Sequence, residues 1–85
     1  ERLTGAARAA ETLMLALRLT EGVGRADFRR RFGLDPLDAF SATFDRYRRA
    51  GLLSVTPDRV ALARQGLFVS DALFADLFEE AAAAS

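Results

Sequence analysis

Apolar positions recur at helical spacing in several blocks of this chain, and glycine and proline punctuate the gaps between them. The first block predicts a helix from Ala6 to Thr20, opened by a cap at Thr4, whose hydroxyl can accept a free backbone donor of the first turn. Leu13, Met14, Leu15, Leu17 and Leu19 give it a face broader than one stripe. A helix of that kind lies centrally and touches neighbours on more than one side. Gly22 and Gly24 are read as its end, because glycine tolerates positive φ at a helix terminus.

Arg25 to Phe32 reads as a short second helix, with Asp27 near its positive end, Phe28 and Phe32 one turn apart, and Gly33 as its stop. Asp35 followed by Pro36 is a strong start signal for a third helix, since Asp satisfies a free donor and Pro lacks one. Leu37, Phe40, Phe44 and Tyr47 continue it along one face, with Asp38, Asp45, Arg46, Arg48 and Arg49 largely opposite, and Gly51 closes it. Leu52–Val55 and Val60–Leu62 are short β-type runs around a Pro-containing turn, which predicts a hairpin. A last helix is expected to open at Gly66 and reach about Glu80. The predicted fold class is therefore mainly α with a small β-hairpin, in the element order of a winged helix, a helix-turn-helix variant with the hairpin as wing. One domain is expected over residues 1–80, with the Ala-rich 81–85 as a fraying tail.

With 85 residues, half of them apolar, the chain buries roughly 60–65% of its unfolded surface and has a single core. All 12 basic residues are Arg, matched by 12 acidic ones, for a formal net charge of zero. Nucleic-acid binders draw affinity from phosphate neutralisation and show a surplus of positive charge, so the balance argues against that class. The chain has no Cys and no His, which removes the usual metal ligands and most nucleophile–base pairs. Catalytic, cofactor-binding and metal-binding residues are accordingly expected to be none. Without a long apolar run there is neither a spanning helix nor a signal core, and the expected location is cytoplasmic. A start at Glu1 and an Ala-rich end fit a piece of a larger protein.

E-T-L-M-L-A-L-R-L-T-E-G-V from Glu11, D-F-R-R-R-F-G from Asp27, A-G-L-L from Ala50 and R-V-A-L-A-R-Q-G-L-F-V-S-D from Arg59 together resemble the C-terminal domain of HemN/HemW-like proteins. That family comprises oxygen-independent coproporphyrinogen III oxidase and its relatives, including the haem chaperone HemW. Glu11, Met14, Leu17, Arg18, Gly22, Phe28, Gly33, Gly51, Leu52, Leu53, Leu62, Gly66 and Asp71 anchor the resemblance. The family pattern has L-T-x-x-G after the second wing strand, whereas Ala63 stands here in L-A-R-Q-G, so a capping hydroxyl is missing. The closing S-D-A-L-F-A-D-L-F resembles the chaperone branch. What the resemblance implies is a parent whose radical S-adenosylmethionine (SAM) barrel holds a [4Fe-4S] cluster and S-adenosylmethionine through C-x-x-x-C-x-x-C, with haem as a further ligand of that parent. None of that motif lies in this chain.

The resemblance implies a non-catalytic accessory domain docking on the parent's barrel in porphyrin or haem metabolism; the alternative is a free-standing winged-helix DNA-binding or protein-interaction module. Glu11 and Arg18, seven apart and on a similar side of the first helix, are candidate interdomain anchors, against an ordinary solvated pair. Leu67, Phe68, Val69, Leu73, Phe74, Leu77 and Phe78 surround the last helix, so a patch including Leu67, Phe68, Phe74 and Phe78 is expected to stay exposed and dock on the barrel, or to drive self-association of the domain alone. Arg29, Arg30 and Arg31 could hold phosphates or propionates, against a solvated helix face. Met14 and Tyr47 are the residue types that ligate haem iron, but both sit on apolar faces and read as core.

Overall fold

The computed structural model describes residues 5–84. The Thr4 cap lies outside them. Five helices are described: α1 (Gly5–Leu17), α2 (Arg25–Phe32), α3 (Pro36–Ala39), α4 (Ser41–Arg49) and α5 (Ser70–Ala84). A small sheet comprises β1 (Val23–Gly24), β2 (Leu53–Val55) and β3 (Arg59–Leu62), and a 3-10 segment (Arg64–Val69) leads into α5. The chain is mainly helical with a small antiparallel sheet, as its periodicity predicts.

Local signals act where they were expected to. Asp35 caps α3 by accepting the Leu37 N–H at 2.9 Å, with Pro36 at the first helical position. Gly33 takes φ 87° and donates to the Arg29 carbonyl, stopping α2 at Phe32. Gly51, at φ 75°, follows α4.

The differences arise where distant parts of the chain meet. Helix α1 ends at Leu17, short of Thr20, and a turn carries the chain to Gly22. Gly22 has φ 71°, and a Cβ there would sit 2.1 Å from the Val60 carbonyl oxygen. Gly24 does not end a helix; it has extended dihedrals and joins Val23 in β1. That strand pairs antiparallel with β3 (Val23 with Val60, Gly24 with Arg59), so the hairpin becomes a three-stranded sheet in the order β1-β3-β2. The third predicted helix is two: Phe40 leaves helical geometry (φ −131°, ψ 52°) and sinks to 2% exposure, separating α3 from α4. Gly66 does not open the last helix. It lies buried in the 3-10 segment against β2's entry, where a Cβ would meet the Leu52 carbonyl oxygen at 2.2 Å. Ala63, standing where the pattern has Thr, precedes that segment with no side-chain cap.

One core joins all of these. Ala9, Ala10, Leu13 and Leu17 of α1 face Leu73, Phe74, Leu77 and Ala81 of α5, while Val23, Phe28, Phe40, Phe44, Tyr47, Leu53 and Val60 complete it. Helix α5 continues past Glu80 through Ala84, and Ala81, the first residue of the expected tail, is 2% exposed and belongs to the core, while Ala82 and Ala83 are exposed.

Candidate interdomain surface

The residues expected to dock divide into two groups once α5 has its true start. From Ser70 onward, Leu73, Phe74, Leu77 and Ala81 recur at three- and four-residue spacing and point inward. Phe74 is 7% exposed and belongs to the core, which corrects its assignment to an exposed patch. Leu67 and Phe68 belong instead to the 3-10 segment, whose tighter turn directs them outward at 59% and 90% exposure. Phe78, one turn beyond Phe74, is 38% exposed. A wholly open phenylalanine beside an open leucine is unusual for a domain this small, and such patches mark contact sites.

Helix α1 adds apolar surface of its own. Leu15 of α1 and Leu19 of the turn that follows it are 57% and 63% exposed, the outer part of the broad face seen in the sequence. Arg18, the first residue past α1, places its guanidinium 5.6 Å from the Phe74 ring centroid, covering that ring and tying the end of α1 to α5. Glu11 is exposed and makes no ion pair with Arg18 among the described residues. The two charges therefore do not act as a pair, and Arg18 is a packing residue of the α1–α5 seam.

Between α4 and α5 lies a polar network that the sequence reading missed. Nothing on α4 caps its own N-terminus, because Phe40 occupies that position. Glu80 of α5 does so from a distance, accepting the Thr43 N–H at 2.9 Å. One turn earlier, Asp76 Oδ2 accepts the Tyr47 hydroxyl and an Arg46 N–H, both at 2.7 Å. Burial, then the bond to Asp76 and its charge, push the Tyr47 phenol up to about 12. The one available signal was Asp76 and Glu80 four apart on a helix otherwise apolar around its inner side.

Arg25, Ala26, Arg29, Arg30, Asp35 and Pro57 line a cleft of about 470 Å³ between α2, the α3 cap and the hairpin turn. Arg31 points elsewhere and stacks on Phe32 at 5.1 Å.

The donor set tests the cofactors that the resemblance implies for the parent. A chain without Cys has no thiolate for a [4Fe-4S] cluster. Tyr47 is 8% exposed with its hydroxyl committed to Asp76, and Met14 packs against the core, so neither is disposed to ligate haem. Those groups do not fit this chain, and no reaction step is placed on it.

A family model described as the HemN C-terminal domain matches residues 3–69. The match runs through α1, α2, the hairpin and the 3-10 segment, and α5 follows it. No curated protein and no solved structure matches the chain.

Proposed function

The chain belongs to the HemN C-terminal domain family, and on that premise we propose that it is a non-catalytic accessory domain that docks on the catalytic barrel of a HemN-like parent. The observation that carries the reading is the surface of Leu67 and Phe68, with Phe78, Leu15 and Leu19 as further exposed apolar residues. A domain that must remain soluble alone has no use for a phenylalanine at 90% exposure, whereas a domain covered by a barrel does. Within the family we assign it to the HemW-type haem chaperone branch, from the S-D-A-L-F-A-D-L-F run that opens α5. The iron–sulfur cluster and S-adenosylmethionine then belong to the barrel.

The reading as a winged helix rests on α2, the Gly33–Leu34 turn, the α3–α4 pair and the β2–β3 hairpin. The same arrangement weighs against nucleic acid. Glu80 brings a carboxylate to the N-terminal turn of α4 and Asp76 brings another to Arg46 and Tyr47 further along it, the helix that a helix-turn-helix presents to a groove. The net charge of zero leaves no surplus for phosphate neutralisation. None of the described helices is long and apolar enough to cross a membrane.

The coding sequence upstream of Glu1 tests the assignment. A C-x-x-x-C-x-x-C motif at the end of a barrel strand is the expected finding; an upstream region with no such motif would return a free-standing protein- or DNA-binding module to first place.

A further inference from the structure

We propose that the cleft between α2 and the hairpin turn binds a small multivalent oxoanion, a phosphate ester or a polycarboxylate, through Arg25 and Arg29. Its floor is held in place. The Arg25 guanidinium donates from Nε to Asp35 Oδ2 at 2.9 Å and from Nη1 to the Thr56 carbonyl at 2.7 Å, and the Arg25 backbone N–H donates to the Asp58 carbonyl at 2.8 Å. These contacts fix the guanidinium against two segments, the α3 cap and the hairpin turn, with its Nη2 group still free to donate. Asp35 is the carboxylate that lines the cleft, and it is already engaged, one oxygen by the Leu37 N–H and the other by Arg25.

Arg29 lies one helical turn beyond Arg25 on the same side of α2, and it lines the cleft with a guanidinium that has no hydrogen-bonding or ion-pair partner among the described residues. Arg30, the third guanidinium there, pairs with Asp27 at the exposed rim, a contact too solvated to hold it firmly. Three cations therefore meet one committed carboxylate in the lining of a cavity that would admit a small molecule. Guanidinium forks match the oxygens of phosphate and carboxylate alike, and a fixed fork beside a free one suits a group that presents oxygens in two directions. Nucleic acid is a poorer occupant, because this concentration of positive charge is local to one cleft on a chain of zero net charge.

The test is titration of the 85-residue chain with pyrophosphate and with citrate at constant ionic strength, followed by calorimetry and by amide shifts. Sodium chloride and a duplex DNA serve as comparisons. Saturable binding of pyrophosphate, citrate or both, with shifts at Ala26, Arg29 and Asp35, is the expected result, and which probe binds tells phosphate from carboxylate recognition. Arg29→Gln should weaken it roughly tenfold or more, as loss of one charge-assisted hydrogen bond implies. Arg49→Gln, on α4 outside the cleft, should leave it unchanged, and both variants should melt as the parent chain does. Equal shifts with chloride, equal loss in both variants, or binding of DNA without binding of either small anion would each overturn the proposal.

Discussion

Replacing Asp76 with Ala tests whether α5 is held to α4 by a polar contact as well as by its apolar face. The substitution leaves the helix a better former and removes the acceptor of two bonds, from Tyr47 and Arg46, each 2.7 Å long. Their losses are unequal. The Arg46 side chain is 63% exposed, so its pair contributes less than about 1 kcal/mol. Tyr47 is 8% exposed, and stranding its hydroxyl costs about 1–3 kcal/mol. A total near 2 kcal/mol is a large share of the roughly 4–13 kcal/mol expected for a domain of this length. It should lower Tm by about 8–16 °C. Thermal and urea unfolding of Asp76→Ala, Tyr47→Phe and the double variant form a cycle, in which Tyr47→Phe removes the stranded donor and makes the second substitution milder. A coupling above about 0.5 kcal/mol is expected. Additive losses, or an Asp76→Ala variant as stable as the parent chain, would refute the reasoning.

Two further outcomes follow from the same geometry. Tyr47 is the chain's one tyrosine, and a phenol raised to about 12 in the folded state stays protonated where the unfolded chain, near 10, has begun to release its proton. The unfolded state then binds fewer protons, so the contribution is complete below about pH 10 and is lost as pH rises through about 12; absorbance titration and alkaline melts should show this, and Tyr47→Phe should abolish its part of the slope. Gly66→Ala places a methyl 2.2 Å from the Leu52 carbonyl oxygen, a backbone atom that cannot swing away; we expect a loss of at least about 1–3 kcal/mol by urea unfolding, while Gly5→Ala, which meets nothing within 4 Å, should be tolerated.

How much of this was legible in the sequence depended on how far each cause reached along the chain. The Asp35–Pro36 start and the Gly33 stop were readable because each acts within a few residues. Strand β1 was not, since two residues are too few for alternation to register, and its pairing partner lies at Val60 and Arg59. The break at Phe40 carries no Pro or Gly, so the apolar spacing of Leu37, Phe40, Phe44 and Tyr47 runs straight through it. Gly66 looked like a helix start because its real constraint, the Leu52 carbonyl, is fourteen positions away.

At the candidate surface the same limit applied. The spread of apolar positions around a helix drawn from Gly66 marked the 67–78 segment as too apolar for one face, and Leu67, Phe68 and Phe78 are open to differing degrees. Moving the helix start from Gly66 to Ser70 changes the phase, which is why Phe74 turns inward and Phe68 outward. The capping of α4 by Glu80 joins positions 37 apart, and no spacing rule within one helix reports it.

Amide hydrogen exchange on the full-length parent, set against the same measurement on the 85-residue chain, tests the docking claim most directly. The account predicts that Leu67, Phe68 and their neighbours exchange markedly more slowly in the parent, while core amides such as those of Leu13 and Leu77 keep their rates. Equal exchange at Leu67 and Phe68 in the two proteins would contradict it, because a surface that docks on a barrel cannot remain as open to water as it is in the free domain.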